Sequence, residues 1–293
     1  EKVITGFDEP FGDSSSIPTG YVSKFAHQYV KMVLTGDGGD EVLSGYTSYQ
    51  REKFLNYYNS LPSFNRNLCS RISNGLSSIS YGKIKDVAQR FNRVLISANL
   101  NFPDRLVLMN SWHDYHMIKL LLEGMENSVS IEDYLHDFFS KCRYKDNFYK
   151  NMYFDFKLSL PDRMLVKVDR MSMLYSLETR APFLDYRLVE FLVSVDKSIK
   201  MEGFKRKSIL RNTIGKELPP AILKGPKKGF NVPLRDYLKN EKYIECFKTA
   251  CKDFENLFNK SALSKLLSET MNGNGHYENL IWQLLVLNRV MNI

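Results

Sequence analysis

The amino-acid sequence predicts an α/β chain that is predominantly helical. Three observations carry this prediction. KMVLTG at 31–36 is a short β-branched run stopped by glycine, the clearest strand candidate. The stretches on either side of it read as helices, a helix–loop–strand–loop–helix order of the α/β kind. From about residue 63 onward, apolar residues recur at spacings of three and four, the period of a helix with one buried face. At 293 residues, with 43% hydrophobic and 13% aromatic content, the chain can bury a core.

SSSIPTGYVSKFAHQYV predicts the first helix. Ser15 or Ser16 can cap it, Pro18 fits its first turn, and Ile17, Tyr21, Val22 and Phe25 share one face. VITGF near the start reads as a second strand. EVLSGYTSYQREKFLNYYNSLP reads as one helix ended by Pro62. The segment at 73–86 is polar and turn-rich and reads as a surface loop. DRLVLMNSW, DYHMIKLLLEGM, IEDYLHDFFSKC and NMYFDFKLSL each carry helical spacing. Helices within 241–293 are expected to pack as a terminal cap without chemistry, and His276, beside glycines, as a loop residue. The two regions expected are an α/β portion over 1–60 and a mainly helical remainder over 61–293.

Net charge is +8. That balance suits polyanionic partners without choosing among them. The aromatics follow core spacing with no interleaved basic stripe, which speaks against nucleic acid. Cys69, Cys142, Cys246 and Cys251 form no CxxC pair and predict reduced, mostly buried thiols of a cytoplasmic protein. No stretch reaches the roughly 18 apolar residues of a membrane span, so no membrane partner is expected.

VLTGDGGDE at 33–41 holds the first candidate chemistry. A strand ending in glycines and leading into a helix suits an anion, because glycine lets the backbone approach and the helix N-terminus offers N–H groups. Asp37, Asp40 and Glu41 would repel a bare phosphate. A hard divalent cation reconciles the two, since Mg²⁺ takes one or two carboxylates together with phosphate oxygens. A surface turn rich in Asp and Gly is the plainer alternative.

LPDRMLVKVDRMSMLYSLETRAPFLD at 160–185 is the second stretch. Met164, Leu165, Val168, Met171 and Met173 would bury one side of a helix. Pro182 biases Ala181 to an extended form, which places Arg180 and Asp185 around a kinked loop where polar groups can converge. The third is KRKSILRNTIG at 205–215, followed by KGPKKGFNVPL at 224–234. Lys207 on a helix, with Arg211 one turn later, could point at phosphates.

Taken together and in this order, VLTGDGGDEVLSGY, LVKVDRMSM with SLETRAPFLD, KRKSILR and KKGFNVPL resemble the synthetase domain of glutamine-dependent asparagine synthetases. The wider amidotransferase group, which includes β-lactam synthetase, is similar. The resemblance covers roughly residues 5–240 and is closest to the branch carrying DEPF followed by DSS-x-IPT, here Asp8 to Thr19. It implies a remnant of a parallel-sheet, ATP pyrophosphatase-like nucleotide-binding domain followed by helices. It also implies ATP and Mg²⁺, adenylation of aspartate, and displacement of AMP by ammonia drawn from glutamine. By resemblance, Thr35, Gly36, Asp37 and Gly38 border the adenylate, and Asp37 deprotonates the attacking ammonium. Asp40 is a Mg²⁺–pyrophosphate ligand, and Lys207 stabilises charge on the phosphate. Asp13 and Ser14 border the amino-acid substrate, and Arg180 belongs to the same substrate end.

Asp at 37, where the family often has Glu, shortens that group's reach by one methylene. The family's Ser-Gly-Gly-x-Asp-Ser pyrophosphate loop and its glutaminase domain do not occur in the sequence. The chain, which opens abruptly at Glu1 without Met, is therefore expected to be a fragment that binds ATP weakly and does not turn over. A small sheet with an exposed edge would invite oligomerisation. A related amidotransferase acting on another carboxylate such as a sugar acid, or a degenerate binding module, are the alternatives.

Overall fold

Two short strands, β1 (Met32–Leu34) and β2 (Glu178–Arg180), run in parallel, with Met32 beside Glu178, Val33 beside Thr179 and Leu34 beside Arg180. They belong to a computed structural model that describes residues 2–79, 83–110, 115–125, 130–225, 229–230, 232–272 and 277–291. β1 is the strand expected from KMVLTG. Its partner is not VITGF, which forms a 3-10 turn at Ile4–Gly6. That turn lets Phe7 stack on Phe11 at 4.3 Å and both pack with Met171. Burial of two aromatic rings outweighs the β-propensity of a five-residue run.

Helix α1 (Ser16–Ala26) follows. Ser15 holds the cap position, yet its hydroxyl does not cap. Asp13 Oδ1 accepts from the Ser15 N–H at 2.9 Å and from its hydroxyl at 2.6 Å, an aspartate turn that launches the helix. The buried side of α1 is the small one, Ser16, Gly20 and Ser23. Tyr21, Val22 and Phe25 face solvent, 68%, 52% and 63% exposed.

The helix expected over 41–62 is two helices, α2 (Gly39–Val42) and α3 (Thr47–Ser60). Left-handed Ser44 (φ 54°) followed by Gly45 breaks it, and α3 stops just before Pro62, as expected. The loop expected at 73–86 is helical instead. α4 (Ser63–Ile79) and α5 (Lys83–Ser97) form a hairpin, with Cys69, Ile72 and Ser73 meeting Ala88 and Phe91 across it. Serine is poor but tolerated in a helix when neighbours supply packing. Helices α6 (Phe102–Asn110), α7 (Tyr115–Leu121), α8 (Ile131–Ser140) and α9 (Asn147–Phe154) each overlap one of the four segments read as helical, the last of which runs on past α9.

A π-helical stretch, Asp155–Leu165, contains Pro161. Proline has no N–H and crowds the carbonyl four residues back, and the wider turn accommodates both. It runs into α10 (Val166–Met173), against which α1 packs. Met171 is fully buried there, and Met164, Leu165 and Val168 are half-buried. Met173 is 56% exposed, and Lys167 takes a buried position expected of an apolar residue.

Then come α11 (Tyr186–Ser194) and the short α12 (Lys197–Lys200), α13 (Ser208–Asn212), α14 (Pro220–Lys224) and α15 (Leu234–Tyr237). The chain closes with α16 (Glu241–Asp253), α17 (Lys260–Met271) and α18 (Glu278–Met291). These last three do more than cap. With Met117 and Leu121 of α7 they build the largest apolar cluster, around Phe247, Phe254, Leu266 and Ile281. Among the described residues no cysteine is in a disulfide. Only Cys251 is buried; Cys69 and Cys142 are half-buried and Cys246 is exposed, so the thiols are less buried than expected. His276, Pro226, Lys227, Lys228 and Asn231 lie outside the described residues. No described helix is long and apolar enough to cross a membrane.

Candidate active site

The loop after β1 is fixed from three directions. The Thr35 N–H donates to the Arg180 carbonyl at 2.8 Å, which continues the strand pair. Gly38 is left-handed (φ 81°), and a Cβ there would meet Leu184 Cδ2 at 2.1 Å. The 3-10 turn Pro182–Leu184 thus lies directly on the loop, with Phe183 against Gly39. Only glycine satisfies both the backbone angle and that contact. The second motif therefore covers the first.

Beyond α2 the chain turns at Ser44 and Gly45. The Gly45 N–H donates to the Asp40 carbonyl at 2.7 Å, and Arg206 reaches the Gly45 carbonyl at 3.2 Å. Lys207 is left-handed as well (φ 55°), at the cap of α13. Its Nζ lies 2.8 Å from Asp40 Oδ1, passing over Gly45. A side chain at Gly45 would start 1.9 Å from that oxygen and 2.4 Å from Lys207 Cε. Two non-glycine residues at positive φ, with a glycine beneath the ion pair they frame, mark stored strain of the kind found at functional sites. Arg211 does not join Lys207. It donates to the Leu223 carbonyl at the surface, away from the pair.

Behind the loop lies a buried acidic layer. Glu41 accepts from the Tyr46 hydroxyl at 2.6 Å, and Asp155 accepts from Tyr49 at 2.6 Å and from Asn151 at 3.0 Å. Burial pushes the Glu41 carboxyl up, with Asp40 and Asp37 adding to the shift and the Tyr46 hydrogen bond opposing it. Burial also pushes Asp155 up, to about 7, against the Tyr49 hydrogen bond. The same burial raises the Tyr46 and Tyr49 phenols, so both remain hydrogen-bond donors.

On the other side stands Asp13. Its carboxylate turns the start of α1 and meets Arg163 Nε at 3.3 Å and Lys167 Nζ at 3.9 Å. Lys167 donates to Ser15 Oγ at 2.9 Å. Desolvation lowers the Lys167 pKa, and Asp13, Asp37 and Glu41 pull it back up. This buried ammonium therefore sits electrostatically between the Asp13 segment and the acidic loop. Sequence reasoning gave Lys167 no role of its own. The available signal was its spacing, since Met164, Lys167 and Met171 fall on one helical face that packs inward.

Of the residues singled out in the sequence, Thr35, Gly36, Asp37, Gly38, Asp40 and Lys207 come together around one loop. Asp13 pairs instead with Arg163 and Lys167, and the loop acids act on Lys167 through their charge. Ser14 contributes its carbonyl to the Ile17 N–H at 3.1 Å. Arg180 and Asp185 do not converge. The exposed Arg180 side chain pairs with Glu178, and Asp185 pairs with Arg187. Each carboxylate satisfies a cation two residues away within its own short segment.

The donor set suits magnesium only in part. No three His, Cys, Asp or Glu side chains among the described residues are placed to hold a metal. One or two carboxylates with phosphate oxygens suffice for Mg²⁺, and Asp40 and Asp37 meet that count. Asp40 already carries the Lys207 ammonium, so a cation there would share or displace it.

The asparagine synthase family model matches residues 1–292. The chain is 27% identical over 240 residues to asparagine synthetase (glutamine-hydrolyzing) 1 of Bacillus subtilis, covering 82% of this chain and 37% of that protein. A Mycobacterium bovis protein, provisionally named a glutamine-hydrolyzing asparagine synthetase, is 25% identical over 287 residues, covering 97% of this chain and 43% of its own length. The amidase chry2 of Gibberella zeae is 24% identical over 227 residues, 70% of this chain and 32% of that protein. The chain thus spans less than half the length of these relatives. A family match along nearly the whole sequence agrees with motifs that fold onto one loop: this chain belongs to the asparagine synthase family.

Proposed function

We propose that this chain is the nucleotide- and carboxylate-handling part of an ATP-dependent amidotransferase. A substrate carboxylate oxygen attacks the α-phosphorus of ATP, the bond to pyrophosphate breaks, and an acyl-adenylate forms. Ammonia then attacks the acyl carbon and loses a proton, and AMP leaves. Aspartate as acceptor, giving asparagine, is the first reading, supported by the relatives' names. Another carboxylate, such as a sugar acid, is the second reading.

One observation carries the proposal. Lys207 is held at 2.8 Å from Asp40 by strained backbone, although the two lie far apart in sequence. A polyanionic leaving group needs such a cation, and Asp40 keeps the ammonium oriented until phosphate oxygens take it over. Thr35 Oγ1 and Ser44 Oγ, buried without a hydrogen-bond partner among the described residues, offer donors beside the same loop. Asp40 and Asp37 would hold Mg²⁺, which supplies charge neutralisation between carboxylate and phosphate. Asp37, half-buried in the loop, would take the proton that the attacking ammonia loses. Lys167 steadies the Asp13 segment through Asp13 and Ser15 and would supply positive charge at the substrate end.

The test is AMP formation by the product of the complete reading frame with ATP, Mg²⁺, ammonia and either aspartate or a panel of other carboxylates. Lys207→Met is expected to lower kcat by about 100-fold or more, the size of effect typical for removing a transition-state charge donor. Wild-type protein that forms no AMP with any carboxylate would overturn the proposal, as would a Met variant of undiminished rate.

A further inference from the structure

The α4–α5 hairpin carries an exposed face that no site described above uses. Phe64, Leu68 and Ile72 lie four residues apart along α4 and are 75%, 48% and 54% exposed. Val87 and Phe91 repeat the spacing on α5, 66% and 45% exposed. Ile72 and Phe91 line the same cavity of about 170 Å³, together with Cys69, Ser73 and Ala88, so the two stripes open on one side. Large apolar side chains grouped on one face mark an interaction surface.

The sequence of the hairpin is basic. Between residues 63 and 97 the sequence carries Arg66, Arg71, Lys83, Lys85, Arg90 and Arg93 against a single acid, Asp86. Arg71 lies three residues from Leu68 and seven from Phe64, within the apolar stripe itself. Arg90 lies three from Val87. Arg71, Arg90 and Arg93 are exposed, and no carboxylate among the described residues pairs with any of them.

We propose that this face is a docking surface for an anionic lipid bilayer. Apolar side chains would enter the headgroup–acyl boundary, and the arginines would lie at the level of the lipid phosphates. A second copy of this chain fits the face less well, because it would bring the same arginines against each other. The absence of a membrane span, on which the sequence expectation of no membrane partner rested, does not bear on this mode, because the hairpin lies on the bilayer and does not cross it. The proposal is independent of the amidotransferase reading.

The experiment is flotation of the purified product of the complete reading frame with vesicles of phosphatidylcholine alone and of phosphatidylcholine with about 30% phosphatidylglycerol, at low and high salt. Binding is expected to the anionic vesicles, to weaken with salt, and to be slight on the neutral ones. The double variant L68S/F91S is expected to lose about tenfold or more of that binding, as two large apolar side chains no longer insert. R71E/R90E is expected to lose it most strongly at low salt. Both pairs are at the surface, and an unchanged circular dichroism spectrum and melting temperature would show that the fold is retained. A folded chain that ignores anionic vesicles would overturn the proposal, and so would variants that bind as wild type does. Soluble oligomers that L68S/F91S dissociates would assign the face to a contact between copies and overturn it as well.

Discussion

Gly45 shows how much a single residue can decide. The Asp40–Lys207 ion pair passes over it, and a methyl group would collide with both partners. Gly45→Ala is expected to separate the pair and cost about 1–3 kcal/mol, as overpacking does, read as a lower urea midpoint at unchanged slope. Asp155 adds a pH dependence. Burial raises its folded pKa to about 7, above the ordinary carboxylate value it has when unfolded. The folded state therefore binds this proton more tightly, and its contribution is fully present below the unfolded pKa. It is lost as pH rises toward 7. Urea denaturation at pH 5 and pH 8 is expected to show lower stability at pH 8. Asp155→Asn, which can still accept from Tyr49, should flatten the difference. Residue-level chemistry was legible in part. The acids of 37–41 and Lys207 stood out by type and order. The burial of Lys167, Glu41 and Asp155 did not, because a charged residue in a string gives no sign of which way its helix faces.

At the scale of elements, helices were legible where apolar spacing was regular and misread where composition alone was used. Ser-rich 73–79 continues α4 because Ile72 and Ser73 find neighbours on α5. The break between α2 and α3 rests on Ser44 and Gly45, and a single Gly in a helical pattern is weak evidence for a break. Between elements, buried polar contacts hold α3 to α6. Arg105 donates to Glu52 at 2.6 Å and to the carbonyls of Ser97 and Leu100, and both side chains are buried. Removing one partner strands the other charge without water. Glu52→Ala is expected to cost about 3–5 kcal/mol, measurable by denaturant unfolding, whereas replacing both residues by apolar ones of similar volume should cost much less.

Across the whole molecule, the sheet is small and its outer side is apolar. Met32 and Leu34 are 49% and 71% exposed. In the parallel pair, the N–H and C=O groups of Met32 and Leu34 point away from β2, which leaves an open strand edge. Self-association at micromolar concentration is the expected result. Leu34→Lys should reduce it, seen as a lower weight-average sedimentation coefficient, because a charge on an edge strand opposes pairing with another copy.

The sequence by itself determined the class of fold, the helices with regular spacing, the strand β1, and the loop and lysine whose order along the chain marks the family. These are local patterns, set by side-chain period and by glycine at fixed offsets, and a linear string records them directly. Tertiary structure alone decided that the second strand is Glu178–Arg180 and not VITGF, that Leu184 closes over Gly38, and that Lys167 faces inward against Asp13 and Ser15. Each of these is a contact between segments distant in the chain. Its free energy comes from burial and from pairing charges out of water, quantities that exist only once the segments meet.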